Sequence, residues 1–212
     1  MEKLKEKSMW VVKIGGSLLG SPELERWLSL FAKHSDGKII IVPGGSLFAD
    51  AVRQAQKLSN ISDKCAHKLA VLAMDQFGLL LANMCPQLVT ASTALEIDER
   101  AWQHRGIIWL PSQMVLADES IPENWSVTSD SLAAWLADKL NATQLVLLKC
   151  EKPNDSSLDL RLVTESGFVD VAFSHFVLNK TFGSWMLKKS DVEHFLDGVN
   201  AEKLDKIGTS IY

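Results

Sequence analysis

The sequence feature that most constrains the fold is a pattern that occurs twice: a short apolar run, then Gly-Gly-Ser, then a helical pattern. The first copy, residues 12–17, reads Val-Lys-Ile-Gly-Gly-Ser, and the second, residues 41–46, reads Ile-Val-Pro-Gly-Gly-Ser. In a parallel sheet the carboxyl ends of the strands lie at one edge, and ligands bind there. The repeated pattern therefore predicts two neighbouring glycine turns at one edge of a parallel sheet.

Both turns suit an anionic ligand. Glycine permits a positive φ and lets a bulky anion approach the backbone, and the helix after each turn directs free N–H groups and its positive dipole end at the anion. We therefore predict phosphate binding by the six turn residues, which are Gly15, Gly16, Ser17, Gly44, Gly45 and Ser46. The alternative is a tight strand-to-helix turn without a ligand, and neither copy matches a Walker A loop or a G-x-G-x-x-G fingerprint.

Short β-rich runs alternate with longer helical patterns along the whole chain. Strands are predicted at residues 10–14, 38–42, 87–90, 106–110 and 144–149, and helices that begin near residues 22, 47, 63 and 130. After a polar loop at residues 150–157, strands are predicted at 158–164, 185–187 and 206–211, and helices at 169–182 and 191–196. This alternation predicts an α/β protein, a three-layer αβα sandwich with a mainly parallel central sheet, in one domain over residues 1–212.

The composition excludes several classes of protein. Hydrophobic residues make up 47% and charged residues 23% of the chain, which rules out a disordered or collagen-like chain. The net charge of −4 argues against a nucleic-acid partner, because phosphate backbones require a cationic face. Three cysteines without a CxxC motif predict a reducing, cytoplasmic compartment. No signal peptide or membrane-spanning run is expected from the apolar patterning.

Two charged residues are candidates for catalysis. Lys13 ends an otherwise apolar strand two residues before Gly15, where its ammonium group can bridge phosphate oxygens and offset charge during transfer. The alternative is a lysine whose stem packs while its ammonium group reaches water. Asp130 follows Thr128 and Ser129 at the start of a helix, so it is either a helix cap or a carboxylate that orients Lys13.

Histidine and nucleophile patterns contribute little. The five histidines show no metal-ligand spacing, so no direct protein metal site is predicted. His67 is the histidine of most interest because it lies on the long helix near Lys68 and Asp75, although a structural role is the alternative. A G-x-S-x-G nucleophile motif is absent.

Several of these segments together resemble a known family. Residues 11–17, 42–45 and 128–131 resemble the amino acid kinase superfamily, which includes acetylglutamate, aspartate, uridylate and isopentenyl phosphate kinases. Residues 67–70, 74–75, 110–112 and 125–132 are more specifically similar to the small kinases of methanofuran biosynthesis, which convert (aminomethyl)furanmethyl phosphate to its diphosphate. The resemblance covers essentially the whole chain.

The resemblance implies a kinase that transfers the γ-phosphoryl group of ATP to a phosphate, carboxylate or hydroxyl group of a small molecule. Lys13 would contact the phosphates, the glycine turns would surround the transferred group, and Asp130 would organise the lysines. His67, Thr128 and Ser129 become candidates for substrate binding. ATP with Mg²⁺ is expected, since such kinases act by positioning and charge neutralisation. A homodimer is also expected, because relatives commonly dimerise.

The chain departs from the family pattern in its second half. Relatives carry a Thr-Asp-Val-Asp-Gly-Val-Tyr-like loop after the strand at residues 144–148, whereas residues 149–155 here read Lys-Cys-Glu-Lys-Pro-Asn-Asp. We predict that this segment does not form the relatives' nucleoside loop. The lysine that relatives place in a later helix is also missing, which makes Lys149, Lys180 and Lys188 candidates for the nucleotide side. The alternative function is a kinase-fold binding or assembly protein without catalytic activity.

Overall fold

The computed structural model describes residues 8–212. Eight strands form one sheet in the order β3-β4-β2-β1-β5-β7-β8-β6, and neighbouring strands are parallel except for the antiparallel pair β7–β8. The strands are β1 (Trp10–Ile14), β2 (Ile39–Pro43), β3 (Val89–Ala91), β4 (Ile107–Trp109), β5 (Gln144–Lys149), β6 (Ser157–Leu158), β7 (Gly183–Lys188) and β8 (Thr209–Ile211).

The central strands are apolar on both sides because helices cover both faces of the sheet. Alternate residues of β1 point to opposite faces, so Val11 belongs to one cluster of buried side chains and Val12 to the other. Leu132 packs in the first cluster and Leu28 in the second. The predicted three-layer α/β architecture is therefore confirmed.

Capping residues and first-turn residues mark where some of the helices begin. The helices are α1 (Pro22–His34), α2 (Ser46–Ser59), α3 (Asp63–Met84), α4 (Ala94–Trp102), α5 (Ser112–Val115), α6 (Ser129–Lys139), α7 (Leu160–Glu165), α8 (Phe173–Val177) and α9 (Ala201–Ile207). Pro22 occupies the first turn of α1, where its missing N–H costs nothing. The Ser62 hydroxyl accepts a hydrogen bond from Cys65 N and begins α3.

Helix α3 is long and apolar enough to cross a membrane by length and composition alone. A core helix of a soluble protein passes the same test. Phe77 and Leu81 of α3 are fully buried in the cluster that also contains Ile41 and Ile108 of the sheet. This packing accounts for the buried apolar residues of α3, whereas Leu69, Leu72 and Leu79 of the same helix are exposed.

The chain after residue 157 differs from the prediction. Most of the expected strand at 158–164 is helix α7, because the Asp159 side chain caps it by accepting a hydrogen bond from Arg161 N. The expected helix at 169–182 is reduced to α8, and a 3₁₀ helix at Lys189–His194 takes the place of the helix at 191–196. The Asn200 side chain caps α9, so the last strand begins at Thr209 rather than at 206.

The two glycine turns contact each other at the carboxyl ends of β1 and β2. Gly44 N donates to Ile14 O at 2.8 Å, and the Ser46 hydroxyl donates to Gly16 O at 3.2 Å. A Cβ atom on Gly16 would lie 2.3 Å from Ser46 N, and one on Gly44 would lie 2.7 Å from Gly16 N. Close approach of the two backbones therefore requires glycine at both positions.

A positive φ is one reason that the sequence suggests for glycine in these turns, and the structure does not show it. None of the four turn glycines, which are Gly15, Gly16, Gly44 and Gly45, has a positive φ. The left-handed conformation falls instead on Ser46, whose φ is 50°. A non-glycine residue in this region is uncommon, and such strain concentrates at functional sites.

We expect Gly16→Ala to lower the free energy of unfolding by about 1–3 kcal/mol, because its methyl group must displace the backbone of Ser46. Gly183→Ala is the matched control. A Cβ atom on Gly183 meets only side chains, at 2.6 Å from Gln144 Oε1 and 2.9 Å from Trp185 Nε1, and side chains shift more easily than backbone. Urea denaturation of both variants measures the difference. Equal losses in the two variants would show that the contact between the turns does not matter to stability.

Candidate active site

A buried carboxylate lies between two ammonium groups beside the glycine turns. Asp130 Oδ1 lies 2.8 Å from Lys13 Nζ, and Asp130 Oδ2 accepts a hydrogen bond from Lys149 Nζ at 2.7 Å. The side chains of Lys13 and Asp130 are each 7% exposed, and that of Lys149 is 16% exposed. The structure therefore brings the two predicted residues together and adds Lys149 as a third member of the cluster.

The fold explains this convergence. Lys13 is the fourth residue of β1 and is paired in register with Leu147 of the neighbouring strand β5. Lys149 is the last residue of β5, so it emerges at the same edge. Asp130 lies in the first turn of α6 and points at the two strands from the helix end that carries a positive partial charge. Three elements distant in sequence thus supply one charge cluster.

The charges in the cluster shift one another's pKa values. Burial raises the pKa of the Asp130 carboxyl, but the Lys13 and Lys149 ammonium groups outweigh it and hold that pKa at about 2. Burial and the neighbouring Lys13 charge lower the pKa of Lys149 to about 8, against the raising effects of Asp130 and Asp170. Near neutral pH the three side chains carry an excess of one positive charge, which an anionic ligand would neutralise.

A cleft of about 490 Å³ opens at this edge of the sheet. Its lining includes Gly16, Ser17, Gly45, Ser46, Thr128 and Ser129 near the charge cluster, and Leu19, Leu47, Val71, Met74 and Leu132 along apolar walls. Asp50, Arg53, His67 and Trp125 complete its polar and aromatic lining. A concave cleft that combines apolar walls with several convergent polar groups is typical of a small-molecule site.

The backbone amides of the turns divide into two groups. Gly15 N donates to Leu148 O at 2.9 Å and Gly44 N donates to Ile14 O, so these two amides are already satisfied. This corrects the expectation that all four turn glycines supply N–H groups to a phosphate. Gly16 and Gly45 line the cleft instead, and Gly45 immediately precedes α2, whose first amides have no partner within the helix.

Thr128 is engaged within the protein. Its backbone N–H and its hydroxyl both donate to Asp170 Oδ2, at 3.0 and 2.7 Å. Thr128 therefore lines the cleft with its two strongest donors already paired, whereas the neighbouring Ser129 is buried against the same cleft. Asp170 was not singled out by sequence, since it lies within the segment 169–182 that was expected to be helical.

His67 reaches the cleft as a buried ring. Its Nδ1 lies 3.3 Å from Asn124 O, which assigns the proton to that nitrogen, and its Nε2 has no partner among the described residues. Burial lowers the pKa of the imidazole below its ordinary value, against smaller raising effects. The neutral ring thus offers an unpaired acceptor to a ligand in the cleft.

The two remaining candidates for the nucleotide side, Lys188 and Lys180, lie at different places in the structure. Lys188 lies beside Lys149 in the sheet, because these last residues of β7 and β5 are paired in register. Lys180 instead pairs with Asp138 at 2.7 Å, eight residues beyond Asp130 on the same helix and therefore about 12 Å from it. The structure does not bring Lys180 to the site, because its ion pair holds it near the opposite end of α6.

The altered segment after β5 is hydrogen-bonded to the last residue of α9 and to the C-terminal strand β8. Lys152 Nζ donates to Ile207 O at 2.8 Å, and the Thr209 hydroxyl donates to Asp155 O at 2.6 Å. Cys150 Sγ lies 3.3 Å from the Ser17 hydroxyl of the first glycine turn.

We expect Asp130→Asn to lower the free energy of unfolding at pH 7 by about 2–3 kcal/mol. The folded-state pKa of Asp130 lies below its unfolded value, so its contribution is present above pH 4 and is lost as the pH falls toward 2. The difference between variant and wild type should shrink over that window in urea denaturation. Asp138→Asn, on the exposed end of the same helix, is the control, and an identical pH dependence in it would contradict the assignment.

Comparisons with known proteins bear on the family and the fold of this chain. A family model described as the amino acid kinase family matches residues 8–150. A [5-(aminomethyl)furan-3-yl]methyl phosphate kinase from Methanocaldococcus jannaschii is 34% identical over 140 residues, which cover 66% of this chain and 64% of that enzyme. The match thus spans less than two thirds of that relative.

Solved structures share the fold at low identity. Uridylate kinase from Archaeoglobus fulgidus has a TM-score of 0.67 and 16% identity, with 96% of this chain and 100% of that chain covered. UMP kinase from Ureaplasma parvum has a TM-score of 0.66 and 14% identity over 96% and 98%. Aspartate kinase from Synechocystis has a TM-score of 0.65 and 13% identity over 96% and 39%.

Proposed function

This chain belongs to the amino acid kinase family, and from that premise we propose that it transfers the γ-phosphoryl group of ATP to the phosphate of a small phosphomonoester. The observation that carries the proposal is the buried Lys13–Asp130–Lys149 cluster. It lies next to a cleft that is lined by residues of both glycine turns and by Ser129, the neighbour of Asp130. The name of the Methanocaldococcus relative supports an (aminomethyl)furanmethyl phosphate or a close analogue as acceptor. The product would be the corresponding diphosphate.

In this proposal the chain acts by positioning and charge. Lys13 and Lys149 bind oxygens of the phosphoryl group as negative charge shifts toward the leaving oxygen. The amides of Gly16 and Gly45 hold the same group from the backbone. An acceptor oxygen bonds to the γ-phosphorus, the bond from that phosphorus to the bridging oxygen breaks, and ADP leaves with the electron pair.

The acid–base properties of the cluster favour an acceptor that is already ionised. Both oxygens of Asp130 face ammonium groups, and its pKa of about 2 makes it a poor base at neutral pH. A hydroxyl acceptor must lose a proton during transfer, whereas a phosphate dianion need not. The cluster therefore supports a phosphate acceptor over a hydroxyl acceptor.

In this proposal Mg²⁺ has no side-chain ligands from the described residues. Residues 8–212 contain no group of three His, Cys, Asp or Glu side chains arranged to hold a metal ion. The carboxylate nearest the turns, Asp130, is already neutralised by two lysines. Mg²⁺ would be held by phosphate oxygens of ATP, where it supplies further charge neutralisation.

We expect Lys149→Met to reduce kcat/KM at pH 7 by about 100-fold or more, the loss typical of removing one transition-state donor. In the wild type, kcat/KM should fall as the pH rises through about 8, because Lys149 then loses its proton. That decline should be absent in the variant. Lys180→Met removes a lysine with the same 2.7 Å carboxylate contact on the other end of α6, and it should leave the profile unchanged.

The acceptor would rest against Trp125. The Trp125 indole lines the cleft, its Nε1 donates to Gln56 Oε1 at 2.7 Å, and the Arg53 guanidinium lies 4.6 Å from the ring centroid. These contacts hold a large flat side chain in one orientation, which suits an unsaturated ring in the acceptor. Arg53 is in turn paired with Asp50 on α2.

The acceptor assignment is tested with a panel that contains the aminomethylfuran phosphate, its saturated ring analogue, UMP and aspartate, with ³¹P NMR to detect a new diphosphate. We expect the furan phosphate to be the best acceptor. Trp125→Leu should raise its KM about tenfold with kcat changed less than threefold, because it removes a contact that is made equally in the ground state and the transition state. Trp125→Phe keeps a ring and should lose less. A panel without turnover contradicts the kinase assignment.

The second candidate function is a binding or assembly protein with this fold. The segment at residues 150–156, which is attached to β8 by Lys152 and Thr209, is the observation that favours it. Thermal unfolding with Mg-ATP separates the two functions, since a ligand at 100 times its Kd adds about 2.7 kcal/mol of stability. Stabilisation supports the kinase, and no stabilisation by any nucleotide supports the second candidate.

We further propose that the protein is a cytoplasmic homodimer. Leu69, Leu72 and Leu79 lie along one side of α3 and are 38%, 43% and 55% exposed. An exposed apolar stripe of this kind is commonly covered by a partner. Light scattering at micromolar concentration measures the oligomeric state, and a monomeric mass would contradict the proposal.

A further inference from the structure

The N-terminus of α6 is capped by a residue about 40 positions away in sequence. Asp170 lies between α7 and α8, and its Oδ2 accepts hydrogen bonds from Thr128 N at 3.0 Å, Thr128 Oγ1 at 2.7 Å and Ser131 N at 3.0 Å. The Ser131 hydroxyl donates to its other oxygen. The four donors come from the residues on either side of the Ser129–Asp130 pair.

This cap differs from the ordinary one. An N-cap residue usually satisfies the first helical N–H groups with its own side chain. Thr128 occupies that position in α6, but its side chain makes no such bond and donates to Asp170 instead. A full carboxylate charge therefore lies at the positive end of the helix dipole, where its hydrogen bonds are charge-assisted.

The segment that carries Asp170 is itself held in place. Val169 and Phe173 are buried in the same apolar cluster as Leu132 of α6. Ala172 N donates to Ser126 O at 2.9 Å, and Phe173 N donates to Asp170 O at 3.1 Å. The carboxylate thus projects from a packed segment and not from a mobile loop.

We propose that Asp170 is a positioning residue for phosphoryl transfer: it fixes the first turn of α6 so that Asp130 reaches both Lys13 and Lys149, and it adds a second negative charge near Lys149. The proposal rests on the proposed kinase function. Asp170 would touch neither the nucleotide nor the acceptor, because its oxygens are directed at the end of α6.

The negative charge of Asp170 affects the pKa of Lys149 in a definite direction. Three charged groups act on Lys149: Lys13 of β1 lowers its pKa, whereas Asp130 of α6 and Asp170 raise it. Removal of the Asp170 charge should therefore lower the pKa of Lys149 below about 8. Less of the lysine is then protonated at pH 8, and the loss of activity should grow as the pH rises.

The test compares Asp170→Asn with Asp159→Asn. Asp159 also caps a helix, α7, by accepting from Arg161 N, but it does not contact the charge cluster. We expect Asp170→Asn to reduce kcat about tenfold at pH 7 and by a larger factor at pH 8.5, and Asp159→Asn to leave both values within twofold. A purely structural role predicts a loss that is the same at both pH values, and that result would overturn the proposal.

A second readout does not require kinase activity. The pKa of Lys149 can be measured by NMR of protein labelled with ¹³C at lysine Cε, with the signal assigned by its loss in Lys149→Arg. We expect the titration midpoint to fall by about half a unit or more in Asp170→Asn. An unchanged midpoint would overturn the proposal even if the protein were not a kinase. A kinase-inactive wild type with a shifted midpoint would overturn the proposed function alone.

Ser131→Ala keeps the experiment decisive if Asp170→Asn does not fold. Ser131 is fully buried and supplies one of the four donors, and alanine is the best helix former. We expect a threefold to fivefold loss of kcat with the protein folded, as judged by circular dichroism. Wild-type kcat in this variant, together with wild-type pH dependence, would overturn the positioning role.

Discussion

The structure depends on a carboxylate that is removed from water between two ammonium groups. A charged group that loses its hydration is tolerated only if opposite charges replace the lost water. Lys13 and Lys149 supply these opposite charges to Asp130. This arrangement requires that β1 and β5 end where α6 begins. These three side chains together carry one more positive than negative charge, which suits the anionic ligand of the proposed function.

The close contact between the glycine turns serves the same site. Gly16 and Gly44 permit two backbones to approach at distances that a Cβ atom would prevent. The ends of β1 and β2 are thereby held together, and the first amides of α2 come to the edge where the lysines lie. Ser46, rather than a glycine, takes the left-handed conformation at this point. The glycine turns and the charge cluster therefore lie at the same edge of the sheet.

The two halves of the molecule differ in how they relate to the family. The segments that carry the family resemblance include both glycine turns, Lys13 on β1 and Asp130 on α6. The opposite side carries an altered segment after β5, in which Lys152 and Thr209 form hydrogen bonds within the protein. Lys149, the last residue before that segment, is drawn into the charge cluster.

Local patterns predicted most elements in the first two thirds of the chain, although they missed α4 and α5. Four consecutive β-branched residues predict β2, and Ser62 followed by Asp63 predicts the start of α3, because both signals act within a few residues. After residue 157 the elements are short, and a single cap such as Asp159 or Asn200 decides between helix and strand. Periodicity in a segment of six residues is too brief to separate the two.

The sequence by itself determined the α/β class, the two turns and the candidacy of Lys13 and Asp130, because strand–helix alternation and glycine pairs are local properties of the chain. Only the tertiary structure decided that Lys149 joins them, that Lys180 does not, and that Asp170 caps α6. These outcomes depend on contacts between residues 19 to 42 positions apart. Such contacts follow from how strands and helices pack, and no local pattern encodes them.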